Sequence, residues 1–262
     1  MANTPPDRMS SDSTERFSVR ADYYSKYRPG YPAEIVEVLQ REIGFGPDET
    51  VADIGSGTGL LAKAFLQYGN RVYGVEPNAR MRFHAERNLA GFPNFLSVKG
   101  TAEHTTLPAE SINLVTVGQA LHWFDPVMAA KEFARVSKPK GHLCVVYNEM
   151  TRRSKFMRSL HLLTVRNEDP RRDVPNADTQ YASRFFDRGR FSKIALRNEQ
   201  LLDFDGLMGR LLSASHMPSP RDRGRVGKLK RDVTRLFDTN QSGGQVKLVY
   251  DTKVYVGRIS YK

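Results

Sequence analysis

The 262-residue chain contains one cysteine, Cys144, and one tryptophan. A single thiol cannot form a disulfide framework, a thiolate metal site or a redox pair within the chain, so these three are excluded. Cys144 lies in the apolar, strand-like run of residues 142–147. We therefore predict that it is a buried core residue.

Long apolar runs are also missing, and the longest is far shorter than the roughly 20 residues that a membrane-spanning helix needs. Residues 1–16 are polar, without the apolar centre of a signal peptide. Hydrophobic residues make up 39% of the chain, which is enough for a sizeable core. These features predict a soluble, cytoplasmic protein without a membrane partner, folded as one domain over 1–262 and present as a monomer or a homodimer.

The net charge of +11 is unevenly distributed along the chain. Residues 1–150 carry 16 basic and 17 acidic side chains, whereas residues 151–262 carry 24 basic and 12 acidic ones. Such basicity can attract nucleic acid or an acidic substrate. The basic residues are interleaved with acids and prolines, however, so we favour a solvated surface and keep nucleic acid as the less favoured partner.

Short β-rich segments alternate with helical ones between residues 50 and 147, which predicts βαβ units and a parallel sheet. The pair Asp125-Pro126 offers an N-cap and a first-turn proline for a helix running to about residue 137. The carboxyl ends of parallel strands meet at one edge of such a sheet, where open α/β sheets bind ligands. The strands predicted in this part are 51–54, 71–76, 95–99, 112–117 and 142–147.

The pattern changes after residue 148. A helical stretch is followed by prolines, charges and aromatics without a clear period, which predicts a cap or lid. Two late strands then complete a seven-stranded, mostly parallel sheet with helices on both faces. The predicted parts are a flexible N-terminus at 1–16, a cofactor-binding core at 17–148, a partly helical cap at 149–192 and a C-terminal part at 193–262. The helix predicted in the cap is 156–165. In the C-terminal part, the predicted strands are 193–204 and 245–259 and the predicted helices are 205–215 and 223–237.

Three glycines, Gly55, Gly57 and Gly59, follow Asp53 between the first predicted strand and the next helix. Glycine permits backbone dihedrals that other residues avoid and lets backbone amides approach a ligand at a helix N-terminus. The dinucleotide-binding pattern G-x-G-x-x-G does not fit, because Leu60 stands in its last glycine position. The spacing is D-x-G-x-G-x-G.

This spacing resembles the first motif of the class I S-adenosylmethionine-dependent methyltransferases, which have a Rossmann-like α/β fold. An acid at the end of the second strand is a further motif of that family, and Glu76 stands there, 23 positions after Asp53. Thr101-Ala102-Glu103 follows the third strand, where the family contacts adenine. The segments 23–32 and 119–125 are similar to the type 11 subgroup, whose better understood members methylate small molecules, including small carboxylic acids.

The resemblance implies S-adenosylmethionine as cofactor and S-adenosylhomocysteine as product. It places Asp53 at the amino group of the methionine end, Glu76 at the ribose hydroxyls, Glu103 at adenine and Arg28 at the methionine carboxylate. Each could instead be an ordinary turn, strand-end or surface residue. The full set of predicted cofactor-binding residues is Tyr24, Arg28, Asp53, Gly55, Gly57, Gly59, Glu76, Asn78, Met81, Ala102, Glu103 and Gln119.

Methyl transfer from a sulfonium requires chiefly alignment and the exclusion of water. Where the acceptor must lose a proton, His122 is the first candidate for the base, because its ordinary pKa of ~6.5 suits neutral pH. It could equally be a structural residue beside Trp123. The weaker candidates for the base are Tyr24, Tyr27 and Glu149, and the predicted pocket walls are Trp123, Phe124, Tyr27 and Tyr147.

Several relatives are disfavoured by what the chain lacks. No Asn-Pro-Pro-Tyr-like run follows the fourth strand, as in enzymes that hold a flipped base, and Cys144 lies within a strand, so nucleobase methylation loses support. The six histidines are scattered, which predicts no metal. We favour a methyltransferase with a small-molecule acceptor, which the basic half suggests could be anionic. A methyltransferase acting on RNA or protein and a non-catalytic cofactor-binding module are the alternatives.

Overall fold

The computed structural model describes residues 8–169 and 179–260, with side chains from residue 18 onward except at 179 and 180. Within this part of the chain, seven strands form a single sheet in the order β3-β2-β1-β4-β5-β7-β6. The strands are β1 (Thr50–Ile54), β2 (Arg71–Val75), β3 (Phe95–Val98), β4 (Ile112–Gly118), β5 (Ser137–Met150), β6 (Ser192–Leu202) and β7 (Val246–Arg258).

Six of the seven strands point in the same direction, and β7 runs opposite to them. β1 pairs with β2 on one side and β4 on the other, and β3 and β5 extend this parallel part outward. β7 pairs antiparallel with both β5 and β6 and closes the sheet. The predicted mostly parallel, seven-stranded α/β sheet is therefore confirmed.

Helices cover both faces of the sheet because the strand residues alternate between the two faces. In β5, Leu143 and Val145 pack with α5, whereas Cys144 and Val146 pack with α2 and α3. Cys144 is fully buried, as predicted. The helices are α1 (Arg8–Tyr27), α2 (Glu34–Ile43), α3 (Ala62–Tyr68), α4 (Ala79–Asn88), α5 (Pro126–Val136), α6 (Lys155–Asn167), α7 (Thr179–Ser183), α8 (Phe204–Leu212) and α9 (Arg223–Asn240).

Three helices form a cap over one end of the sheet. Apolar side chains of α6, α8 and α9 pack together around the first half of β7 and form a third hydrophobic cluster, which includes Leu160, Leu211, Val233 and Tyr250. Of the segment 149–192 predicted as cap, residues 170–178 lie outside the described residues. The cap draws α8 and α9 from sequence beyond that segment.

The N-terminus differs from the sequence-based expectation. Helix α1 begins at Arg8 and so includes part of the segment 1–16 that was expected to be flexible, while residues 1–7 lie outside the described residues. The helix contacts α4 and α8. Ser18 accepts a hydrogen bond of 2.8 Å from Asn78, and Asp22 accepts one of 2.6 Å from Arg80, so α1 is joined to α4 by polar contacts.

Candidate active site

The glycine bend after β1 is held against the end of β2. Gly55 and Gly57 have φ angles of +67° and +56°, a region that suits glycine and strains other residues. The amides of Gly55 and Ser56 donate to the carbonyl of Val75. The amide of Gly57 donates to Oε2 of Glu76 at 3.1 Å, and the Glu76 Oε1 accepts from the amide of Asn78 at 2.8 Å.

Burial raises the pKa of Glu76, while the two backbone hydrogen bonds and Arg82 oppose the increase. The backbone thus orients both carboxylate oxygens at the carboxyl edge of the sheet. Each oxygen retains lone-pair capacity for a second donor. A carboxylate in this position can accept two hydrogen bonds from a vicinal diol.

Asp53 lies next to this bend and is only 1% exposed. Its Oδ1 accepts a hydrogen bond of 3.0 Å from the hydroxyl of Thr116, whereas its Oδ2 has no hydrogen-bond partner among the described residues. Burial raises the pKa of Asp53 to about 7 and the nearby Glu76 adds to the increase, whereas hydrogen bonds from Thr116 and from the backbone of Ala62 lower it. Burying a carboxylate oxygen without a hydrogen-bond donor costs desolvation free energy, and a cationic ligand group would offset this cost. The site is therefore suited to such a group.

Helix α1 supplies a basic and aromatic wall. The Arg28 guanidinium lies 4.8 Å from the centre of the Tyr24 ring and donates to the carbonyl of Ser213 at 3.2 Å. Its Nε is buried and has no hydrogen-bond partner among the described residues. Burial, followed by the nearby charge of Arg210, lowers the pKa of Arg28 to about 10. Arg28 can therefore donate to an anionic ligand group.

The segment after β4 forms the opposite wall. Gln119 has a φ of +57°, a strained backbone at the strand end, and its side chain donates to the carbonyl of Asn148. A short 3₁₀ turn, Leu121–Trp123, then presents His122 and Trp123, whose ring centres are 5.1 Å apart. Burial, and then Arg28, lowers the pKa of His122 to about 4, and its buried Nδ1 has no partner among the described residues.

These elements enclose a cavity of about 270 Å³. Asp53 lies beside it, at a smaller cavity that shares Tyr24, Gly55 and Gly118 with the larger one. Most of the predicted site residues are brought together. Those that line the larger cavity are Tyr24, Arg28, Gly55, Gly57, Glu76, Asn78, Met81, Gln119, His122, Trp123 and Phe124.

Ala102 and Glu103 do not line the cavity, although they were predicted to contact adenine. Oε1 of Glu103 accepts a hydrogen bond of 2.9 Å from the amide of Asp125, at the N-terminus of α5. Ala102 is buried in the hydrophobic cluster beneath that helix. In this structure the pair secures α5 to the loop after β3, and an adenine contact stays a prediction.

Three further predicted residues have packing roles instead. A Cβ at Gly59 would lie 2.5 Å from Leu89, so this glycine permits close packing against the end of α4. The ring of Tyr27 lies over Gly209 of α8, and the ring of Tyr147 stacks on His122 at 6.4 Å between centres. None of the three lines the larger cavity.

Two lining residues, Ser215 and His216, were not predicted from the sequence. They belong to the connection between α8 and α9, where no local motif marks them. Burial, and then Arg28, Arg210 and Arg20, lowers the pKa of His216 to about 4. The cavity therefore contains two imidazoles that are neutral at pH 7.

Comparison with known proteins agrees with this geometry. A family model described as a methyltransferase domain, of the type 11 subgroup, matches residues 52–145, which include the glycine bend, Glu76 and His122. This match and the methyltransferase relatives support a class I S-adenosylmethionine-dependent methyltransferase. Uncharacterized methyltransferase Rv3342 of Mycobacterium tuberculosis is 34% identical over 162 residues, which are 62% of this chain and 64% of that protein. The chain therefore spans slightly less than two thirds of this relative's length.

Solved structures share the fold. A protein from Anaeromyxobacter dehalogenans, described as a proposed type II methyltransferase, has a TM-score of 0.67 at 22% identity, covering 88% of this chain and 98% of that one. Geranyl diphosphate C-methyltransferase from Streptomyces coelicolor, solved with Mg²⁺, geranyl diphosphate and S-adenosyl-L-homocysteine, has a TM-score of 0.51 at 14% identity, covering 97% and 100%. At these identities the likeness shows the methyltransferase fold alone.

The cofactor of this methyltransferase family is S-adenosylmethionine, and the residues present fit it. Its ammonium requires an acceptor, which Asp53 Oδ2 offers, and its carboxylate requires a donor, which Arg28 Nε offers. Its ribose diol requires a carboxylate such as that of Glu76. A Cβ placed at Gly57 would make only ordinary van der Waals contact with Tyr24 and the Gly55 carbonyl, so the bend is not tightly packed on this side.

Residues 8–169 and 179–260 contain neither a metal-binding cluster nor a membrane-spanning helix. No group of three or more histidine, cysteine, aspartate or glutamate side chains is arranged to hold a metal ion there. In the same part of the chain, no helix combines the length and the apolarity that crossing a membrane requires.

Proposed function

We propose that this protein transfers the methyl group of S-adenosylmethionine to a small-molecule acceptor. The observation that carries the proposal is the pair of buried, unpartnered atoms of opposite type, Asp53 Oδ2 and Arg28 Nε, beside the glycine bend. An amino-acid zwitterion satisfies an acceptor and a donor of this kind at once. Few other ligands of this size carry both groups together with a ribose for Glu76.

The proposed division of work follows from these positions. Glu76 receives the ribose hydroxyls, Asp53 the ammonium and Arg28 the carboxylate, while Tyr24 covers them from α1. When bound, the cofactor supplies an electrophilic methyl group on a sulfonium. Trp123 and Phe124 wall the cavity and exclude water, and an aromatic face stabilises a neighbouring sulfonium by cation–π attraction.

His122 is the candidate for the residue that orients the acceptor or receives its proton. Because its pKa lies at about 4, the imidazole is neutral at pH 7 and free to accept a hydrogen bond. General bases act best when their pKa lies near the operating pH, however, so His122 is a weak base in this environment. We therefore assign most of the rate to alignment and to the exclusion of water.

Support for a small acceptor comes from the lining of the cavity, to which α1, the segment after β4 and the α8–α9 connection all contribute. The alternative, an RNA or protein acceptor, has one observation in its favour. Helix α9 exposes a row of basic side chains that could contact an anionic macromolecule: Arg223, Lys228, Lys230, Arg231 and Arg235.

The experiment that separates the two uses isotope-labelled S-adenosylmethionine and a cell extract divided into small-molecule and macromolecular fractions. We expect label in the small-molecule fraction, and none with Asp53→Ala as control. Label confined to RNA or protein would replace the proposal by its alternative, and binding to RNA would then weaken steeply with added salt. No label in either fraction, with cofactor binding intact, would indicate a non-catalytic binding module.

The acceptor atom is assigned by the mass of the labelled product. We also propose that the protein acts in the cytoplasm as a monomer or a homodimer. Light scattering of the purified protein tests the oligomeric state.

A further inference from the structure

The connection between α8 and α9, residues 213–222 and here called the cap loop, is buried to an unusual degree for a loop. Ser213, Ala214, Ser215, Met217 and Pro218 are all buried. Buried backbone carbonyls need hydrogen-bond donors, and a loop has no ladder of its own to supply them. The donors must come from elsewhere in the chain.

Arg20 of α1 supplies donors to two carbonyls of the loop and to the carbonyl of Leu212 at the end of α8. Its guanidinium donates to the carbonyls of Leu212, Met217 and Pro218, at 2.8 Å for Met217 and 3.2 Å for Pro218. The side chain is 1% exposed and lies more than 190 residues away in sequence from each of these carbonyls. A rigid, planar fork of donors can bind several carbonyls at once, which an ammonium cannot do in the same geometry.

The same loop reaches the cavity. Between the residues that Arg20 binds stand Ser215 and His216, which line the cavity opposite the glycine bend. Arg28, the residue directly after α1, donates to the carbonyl of Ser213, and the amide of Asp169, which follows α6, donates to that of His216. Contacts from α1, from the residue after it and from the segment after α6 therefore hold the first half of the loop.

We propose that Ser215 and His216 contact the methyl acceptor and that Arg20 is the positioning residue that holds them at the cavity. This inference rests on the proposed function, because it assigns the acceptor side of the same site. The positioning role of Arg20 also gives a reason why α1 contacts both α4 and α8. This one helix covers the cofactor side of the cavity with Tyr24 and holds the acceptor side in place with Arg20.

The test is Arg20→Lys, which keeps the positive charge and removes the planar fork. The matched control is Arg80→Lys, because Arg80 also contacts α1, through Asp22, but touches nothing in the cap loop. Binding of S-adenosylhomocysteine by calorimetry should change by less than about threefold in both variants, since neither arginine lines the cavity. A larger loss in Arg20→Lys alone would show that Arg20 serves the cofactor side and would overturn the assignment.

Carbon-13 NMR of the histidine rings provides a readout that does not depend on activity. With the His216 signal assigned through His216→Gln, we expect its pKa to rise from about 4 toward ~6.5 in Arg20→Lys, because the loop becomes exposed while the charge at position 20 persists. The His122 signal should not move. An unchanged His216 signal in a folded Arg20→Lys protein would refute the positioning role.

The wild-type protein keeps the proposal testable if Arg20→Lys does not fold. If Arg20 holds the cap loop in its buried position, the pKa of His216 in the wild type should lie well below ~6.5. A His216 that titrates as a solvent-exposed imidazole would contradict it.

Transfer of label to the small-molecule fraction provides the second arm. We expect losses of about tenfold or more in Arg20→Lys and in His216→Gln, and a double variant scarcely worse than either, because both act on one element. Additive losses would show that Arg20 acts elsewhere. Absence of transfer in the wild type would refute the proposed function, while the NMR result would still decide whether Arg20 holds the loop.

Discussion

The amide of Gly57 donates a hydrogen bond of 3.1 Å to Oε2 of Glu76. This contact joins the bend after β1 to the end of β2, so the bare backbone and the carboxylate 19 positions later form one surface. Because the strands are parallel and adjacent, their carboxyl ends arrive at the same edge of the sheet. The arrangement predicts different contacts for the two ends of the cofactor.

A ligand that lacks the amino-acid part of the cofactor distinguishes contacts to the ribose from contacts to the amino acid. We expect Glu76→Ala to weaken both S-adenosylhomocysteine and 5′-methylthioadenosine, which lacks the amino-acid part, by about 10- to 100-fold, since it removes charge-assisted hydrogen bonds to the ribose. Asp53→Ala and Arg28→Met should weaken S-adenosylhomocysteine by a similar factor and leave 5′-methylthioadenosine unchanged. Titration calorimetry with both ligands measures this.

His122→Ala is the control for that series, because we place His122 on the acceptor side. Its affinity for S-adenosylhomocysteine should remain closer to wild type than that of Asp53→Ala or Glu76→Ala. The reverse order would overturn the assignment of the cofactor site.

Alanine substitutions at Gly57 and Gly59 should differ in whether they mainly weaken cofactor affinity or mainly lower stability. Gly57→Ala places a methyl group without a clash but at a φ of +56°, so we expect about 1–2 kcal/mol of strain and a weaker affinity for S-adenosylhomocysteine. Gly59→Ala would bring a Cβ to 2.5 Å from Leu89, so it should lower the melting temperature further while affecting the folded protein's affinity less. Thermal unfolding and calorimetry on both variants test this, and equal effects on both quantities would contradict it.

His122→Ala should lower turnover more than cofactor affinity. Since the imidazole is already neutral above pH 4, we expect no inflection in kcat between pH 6 and pH 8 that depends on His122. Rate profiles of the wild type and of His122→Ala, measured with the labelled small-molecule fraction, check this. An inflection near pH 6.5 in the wild type that disappears in the variant would show that bound ligands restore an ordinary pKa.

The sheet and the cofactor side could be predicted from the sequence because their patterns are local. The apolar run 142–147 in β5 and the glycine spacing after Asp53 each lie within one short segment, and chain connectivity places the strand ends together. The acceptor side could not be predicted in this way. Ser215 and His216 reach the cavity through Arg20, a contact between distant parts of the chain that no periodicity encodes.

Two predicted site residues have partners in this structure that their motifs do not reveal. Glu103 stands where the resemblance expects an adenine contact, but its partner in this structure is the amide of Asp125, which a linear pattern does not reveal. Gly59 belongs to the glycine motif, yet its bare Cα serves the packing of Leu89. A motif gives the positions of residues along the chain. Their contacts in the folded protein depend on tertiary packing, which the motif does not encode.

Asp53 should make cofactor binding depend on pH. Burial raises its pKa to about 7 in the free protein, so near neutral pH the carboxylate is only partly ionised. A bound ammonium favours the ionised form. As the pH falls through 7, the ligand must therefore displace a proton and its apparent affinity falls, whereas above that range the affinity levels off.

We expect the affinity for S-adenosylhomocysteine to fall about tenfold between pH 8 and pH 6, with release of roughly half a proton on binding at pH 7. Calorimetry in buffers of different ionisation enthalpy measures both quantities. Asp53→Asn should bind more weakly and lose this dependence, because its amide does not titrate. The pH profile of 5′-methylthioadenosine serves as the internal control, since that ligand has no ammonium and any slope it shows belongs to Glu76. A slope shared equally by both ligands would assign the titration to Glu76 and contradict the role of Asp53.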